Sequence, residues 1–222
     1  MAAATTPDAV PAETEVINLF FDGARSVAAA LGSAQVGEAW DRSSVLEDQL
    51  VSGLCGHLAR GGVWVVAEYL KGDPPAGPVD FETATAYLAA FAAVAPELHR
   101  GSRDLSAEIG AAGQVAVGDR LAEHIRAMQA TLMGADPGRL VAVIAGRVMR
   151  LSDYLDTRLV EQAVHLDDLA RSVGAGSFPY PDAARDRVIA IGLALAAERT
   201  GRSGLLRALY RGGFANDAFP VI

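Results

Sequence analysis

"YLDTRLVEQAVHLDDLARSVG", residues 154–174, decides the fold. Leu155, Leu159, Leu166, Leu169, Ala170 and Val173 recur at helical spacing, and Gly174 supplies a stop signal. Along one edge of that apolar arc lie Arg158, Glu161, His165, Asp168 and Ser172. Residues four apart on an α-helix are offset by only about 40° and sit one turn above each other. Glu161 and His165 can therefore converge on one point. A polar stripe is ordinarily solvent-facing. Val160 and Val164 flank this one from the other side, which implies an enclosed helix whose stripe faces something specific.

Working outward, the same periodicity predicts further helices. The first runs from about Glu13 to Leu31, burying Val16, Leu19, Phe20, Val27 and Leu31. "GSAQVGEAWDRSS" connects it to a second, from about Val45 to Leu70, which stops at "KGDPPAGPVD" because those prolines and glycines cannot continue it. Asp80 is the expected cap of a third, "FETATAYLAAFAAVAPELHR", which Pro96 should kink or interrupt. A fourth covers about Val115 to Met133. Leu140 to Ile144 is short and β-branched, so a brief strand or an extended lead-in precedes the fifth helix. That helix is expected to start from Ser152 or Asp153 as N-cap and to end at Gly174. "GAGSFPYPD" is a linker, followed by helices over "AARDRVIAIGLALAAERT" and "SGLLRALYR". The expected organisation is all-α: a loose N-terminal tail over 1–13, a four-helix bundle over 14–174, and a linker with a short C-terminal helical extension over 175–222.

Bulk properties narrow the function classes. Hydrophobic residues make up 51% of the 222, enough for a substantial core. A net charge of -8 argues against nucleic-acid or anionic-membrane partners. No run approaches the apolar length of a membrane span. The start, "MAAATTPDAVPAETE", has neither the basic nor the apolar region of a signal peptide. The single cysteine, Cys55, excludes an intramolecular disulfide and fits a reducing cytoplasm. Heavy use of Ala, Gly, Arg and Val with one lysine, Lys71, reads as a bacterial coding bias.

His57 is the natural companion of the Glu161–His165 pair. In "LVSGLCGHLARGGVWVV" the expected buried arc is Leu50, Leu54, Leu58, Gly61 and Val65, with His57 inside the apolar face. A lone histidine there is ordinarily a hydrogen-bonded core residue. With two companions it completes a set of two imidazoles and one carboxylate, which suits zinc with a fourth position open. That position can take water or a thiol, and coordination deprotonates the thiol. Ligand type does not separate zinc from nickel or iron. Gly53, Gly56, Gly61 and Gly62 around His57 suggest close approach of another helix or a ligand. Cys55 lies about 200° round the helix from His57 and reads as a small buried hydrophobe. His124 is a rival third or fourth ligand, His99 beside Arg100 reads as exposed, and Trp40 and Trp64 read as packing residues. Asp167 and Asp168 are either solvated, or one of them orients a ligand imidazole. Arg158 could pair with a substrate carboxylate or form a surface salt bridge.

"CGHLARG", followed about a hundred residues later by "YLDTRLVEQAVHLDDLARSVG", resembles the mycothiol-dependent maleylpyruvate isomerase N-terminal domains. These belong to the DinB-like superfamily of metal-binding four-helix bundles. The tail "RTGRSGLLRALYRGGF" resembles the C-terminal helical extension of many relatives, so the likeness spans about Val16 to Phe214. It implies His57, Glu161 and His165 as ligands, generally for zinc. It also implies mycothiol as thiol cosubstrate, used for isomerisation through a thiol adduct or for transfer onto an electrophile. Two departures stand out: the full isomerase carries a larger C-terminal domain, and "SSVLEDQLVSGLCGHL" lacks the cysteine- and tryptophan-bearing run of relatives. Maleylpyruvate itself is therefore not the expected substrate. The expected protein is a cytoplasmic, metal-dependent, mycothiol-dependent S-transferase or isomerase acting on a small electrophile. The alternatives are a non-catalytic module binding a small molecule or partner, and a hydrolase using metal-held hydroxide. An apolar outer helix would permit a homodimer.

Overall fold

Apolar positions at helical spacing build nearly every element of the computed structural model, which describes residues 13–92, 96–213 and 215–221; for 13, 14, 92 and 96–99 it describes backbone only. Helix α1 (Glu13–Leu31) buries all five of its expected residues, Val16, Leu19, Phe20, Val27 and Leu31. A short α2 (Ala34–Glu38) follows, capped by the Ser33 hydroxyl. Then α3 (Val51–Ala59) passes through a π-helical turn (Arg60–Trp64) into α4 (Val65–Tyr69) as one rod. Helices α5 (Ala84–Ala92), α6 (Pro96–Gly110) and α7 (Gln114–Leu132) complete the first half. After a hairpin of β1 (Leu140–Ala142) and β2 (Val148–Arg150) come α8 (Leu151–Val173), α9 (Asp182–Tyr210) and α10 (Ala215–Ala218). The architecture is an all-α helical bundle: α8 packs on α1 and on the α3–α4 rod, α6 lies along α3, and α9 leans on α8, α5 and α1. Among the described residues no helix is long and apolar enough to cross a membrane.

Several expected boundaries move, each for a local reason. The second helix begins at Val51 and not at Val45. Asp48 turns the chain at φ 56, and the Ser44 hydroxyl accepts from Leu46 N–H, so 43–50 forms a loop closed by a Ser43–Leu50 bridge. Leu50, expected in the buried arc, is 47% exposed there. Asp80 does not cap α5; its carboxylate accepts from Val148 N–H and pins the hairpin, while Thr83 Oγ1 takes the capping position by accepting from Ala86 N–H. Of the expected third helix the described residues hold α5 (Ala84–Ala92) and α6 (Pro96–Gly110), and α6 runs ten residues past Arg100. The brief strand at Leu140 is present and is paired with β2, Val141 opposite Met149.

Neither Ser152 nor Asp153 caps α8. The hairpin delivers the chain directly into it, and the carbonyls of Arg139 and Pro137 accept from the amides of Leu151 and Ser152. Gly174 does end the helix, at φ 73. Val164, expected to be enclosed, is 42% exposed. Helix α9 is divided at Gly201 (φ 73, ψ 159), where the sequence separates two helices. The expected tail over 1–13 falls on residues 1–12, outside the described residues, and so does the side chain of His99.

Candidate metal centre

Helix α8 carries Tyr154, Arg158, Glu161 and His165 down one face, each three or four residues from the next. The α3–α4 rod opposes it with His57. Glu161 Oε2 lies 3.1 Å from His57 Nε2 and 3.4 Å from His165 Nε2. One ligand atom from each residue falls within 4.8 Å of the other two. The two rings meet edge to face, centroids 4.7 Å apart at 88°. Ligands each about 2 Å from a common ion stand no more than about 4 Å apart. Both carboxylate–imidazole distances meet that limit, and two nitrogens with one oxygen are a donor set suited to zinc and its neighbours. The side chains keep 24, 20 and 22% of their surface exposed for His57, Glu161 and His165, so the cluster is recessed and still partly reached by solvent.

Partners outside the cluster aim these groups. His165 Nδ1 is held 3.0 Å from Asp168 Oδ2, which leaves Nε2 for the cluster. The Ser172 hydroxyl donates to Asp168 O and accepts from Val45 N–H, tying the 43–50 loop to the same turn. Of the two aspartates the sequence offered, Asp168 is the orienting one; Asp167 is exposed. Arg158 is 6% exposed and no surface ion pair. Its Nη1 donates to Gly61 O at 2.7 Å, its Nε donates to Thr157 Oγ1, and its Nη2 lies 3.9 Å from Glu161 Oε1. The guanidinium also sits over the Tyr154 ring.

The π-helical turn explains why the rod and α8 interlock. A π-turn shifts carbonyls out of the ordinary i→i−4 ladder. Gly61 O accepts from Arg158, and Gly62 O accepts from Gln162 Nε2 at 3.0 Å. Gln162 is fully buried and also accepts from the Tyr180 hydroxyl, linking the segment after α8 to the same seam. Two of the four glycines mark close approach of another helix: a Cβ on Gly56 would fall 2.2 Å from Ser106 O, and one on Gly62 would touch Gln162, whereas Gly53 and Gly61 face the side chains of Gln49 and His57.

Electrostatics follow from this arrangement. Burial alone would raise the Glu161 pKa, but hydrogen bonds from His165 and His57, with the charge of Arg158, hold it well below the usual carboxylate range. Burial opposes a proton on His165, yet Asp168 and Glu161 together raise its pKa to about 9. A paired carboxylate between two imidazoles is a place that favours positive charge.

His124 stands apart: Nδ1 faces Arg120 O, and the ring rests against Trp64. Trp64 belongs to the hydrophobic core and the partly buried Trp40 packs against it, both packing residues as expected. Cys55 is buried, and burial pushes its thiol up to about 12. The sequence reading missed Ser106 and Gln162. Ser106 lies on the part of α6 not read as helix, and Gln162 sat inside the quoted segment between two more conspicuous residues.

No curated protein and no solved structure matches the chain. The family model of the mycothiol maleylpyruvate isomerase N-terminal domain matches residues 20–170, a stretch that includes His57, Glu161 and His165. On that match the chain belongs to the mycothiol maleylpyruvate isomerase N-terminal domain family.

Proposed function

We propose that the chain is a metal-dependent, mycothiol-dependent S-transferase or isomerase acting on a small electrophile. The observation that carries this is the meeting of His57 Nε2, Glu161 Oε2 and His165 Nε2 at one point, on two helices whose other contacts fix them there. His57, Glu161 and His165 would hold the metal, zinc being the first choice for two imidazoles and a carboxylate. When bound, such a metal supplies Lewis acidity that lowers the pKa of a thiol and makes it a nucleophile at neutral pH. Glu161 offsets part of the cation's charge. Asp168 holds His165 by its far nitrogen. Arg158 braces Glu161, and its Nη2 is the arm a substrate carboxylate would meet. Thiol and electrophile would enter over the exposed fifth or so of these side chains.

Metal analysis of the purified chain beside His57→Ala and Glu161→Gln tests the site. Stoichiometric metal in the parent and none in His57→Ala is the expected result. A parent without metal, or metal that survives the His57 substitution, overturns it. The activity is tested by mycothiol consumption over a panel of electrophiles, with cobalt substituted for the native metal. If mycothiol neither alters the cobalt spectrum nor is consumed, a binding module without turnover replaces the enzyme.

A further inference from the structure

We propose that Ser106 is a positioning residue of the metal centre, holding His57 by Nδ1 so that its Nε2 lone pair is directed at the cation. The inference rests on the metal reading given above and adds a residue from a third helix to it. Ser106 Oγ lies 3.5 Å from His57 Nδ1, and the same hydroxyl donates to Ser102 O at 2.7 Å. A hydroxyl has one proton and two lone pairs. With its proton committed to Ser102 O, Ser106 offers His57 a lone pair, and only an N–H on Nδ1 can meet it. In the metal-free chain Nε2 hydrogen-bonds Glu161; where a cation takes the place of that hydrogen, a neutral imidazole with its remaining hydrogen on Nδ1 turns its Nε2 lone pair to the ion. Nε2 is the atom that faces Glu161 and His165.

The seam between α3 and α6 builds this contact. A Cβ on Gly56 would lie 2.2 Å from Ser106 O, and one on Gly110 would lie 2.3 Å from Ser52 O. The two backbones therefore touch at reciprocal glycines, and one of those contacts is made by Ser106 itself, next to the residue preceding His57. Ser106 is 2% exposed, which keeps bulk solvent from serving as the alternative acceptor. The arrangement is two-sided: Asp168 addresses His165 from within α8, and Ser106 addresses His57 from α6.

Calorimetric titration of the metal-stripped full chain with zinc(II) and cobalt(II) tests the proposal, comparing the parent with Ser106→Ala and Ser52→Ala. Ser52 is buried on the same seam, one turn before Gly56, and controls for loss of a packed serine. Ser106→Ala should bind about 10-fold or more weakly, with Ser52→Ala like the parent and helix content unchanged in both. Nitrogen-15 histidine spectra of the zinc-loaded parent read the arrangement directly and decide the matter if Ser106→Ala does not fold. They should show a hydrogen on His57 Nδ1 and the metal's influence on Nε2. Equal affinity in Ser106→Ala, or metal on His57 Nδ1, overturns the role of Ser106 alone. A parent that binds neither ion overturns the metal reading together with it.

Discussion

Protonated His165 and a bound cation compete for one nitrogen, and the pKa of about 9 sets how that competition varies with pH. In the metal-free chain the folded-state value is raised above the ordinary value of about 6.5. The folded state then holds more protons than the unfolded chain between those limits. The resulting stability is fully present below about pH 6.5 and is lost as pH rises through about 9. Metal-free protein should therefore melt at progressively lower temperature from pH 6.5 to 9.5, and His165→Gln should flatten that slope. Metal uptake should release a proton at pH 7.5, visible with an indicator dye, and affinity should climb with pH toward 9. Asp168→Asn weakens the hold on Nδ1, and metal affinity should fall about 10- to 100-fold by calorimetric titration. Cys55 behaves in the opposite sense: with its pKa near 12 and its side chain buried, it should resist alkylation at pH 8 until the chain is unfolded. At this scale the cluster was legible because helical spacing fixes Glu161 against His165, and His57 stands out as a ligand-type residue on an apolar face. Ser106 was not, since its part in the site depends on a hydroxyl proton directed at Ser102 O, which no spacing encodes.

The α3–α6 seam shows what an element can tolerate. Gly56 and Gly110 sit where any Cβ would strike the opposing backbone, which cannot yield as a flexible side chain would. Gly56→Ala should destabilise the fold by roughly 1–3 kcal/mol and push α6 away from His57, so metal affinity should drop with stability. Gly118, on α7, has open space around it, and its backbone is helical. There alanine should stabilise by roughly 0.5–1 kcal/mol, because the unfolded chain loses freedom and the folded one loses nothing. Urea midpoints moving in opposite directions for the two variants would confirm the difference; a neutral Gly56→Ala would contradict the close approach. The sequence announced a glycine cluster and the helix that carries it. It did not announce the π-turn, which depends on Arg158 and Gln162 supplying donors from α8 for the carbonyls of Gly61 and Gly62. Nor did it place the start of α3, where the loop's bond to Ser172 and the turn at Asp48 outweigh a run that reads as helix.

At the scale of the whole molecule, α9 is joined to the bundle by polar and apolar contacts together. Arg187 makes a two-pronged ion pair with Asp156 of α8, Nη2 to Oδ2 at 2.7 Å. Both side chains are nearly buried, at 12 and 10% exposed. Thr85 of α5 donates to Glu198, and Ala184, Leu195 and Ala196 are covered. The Tyr180 hydroxyl reaches Leu159 O and Gln162 Oε1, the latter on the residue that also holds Gly62. These contacts run from α9 through α8 to the π-turn. The extension should therefore melt with the bundle, giving one calorimetric transition for the full chain. Asp156→Ala leaves the Arg187 guanidinium without its main anionic partner in a place of low exposure, a change that costs roughly 3 kcal/mol for a buried pair. In a chain of this size that lowers the midpoint by roughly 6–12 °C. The transition should stay single while it moves. A separate low-temperature step for residues 182–210, or an Asp156→Ala midpoint equal to the parent's, would mean that α9 rests on the bundle without being part of its cooperative unit.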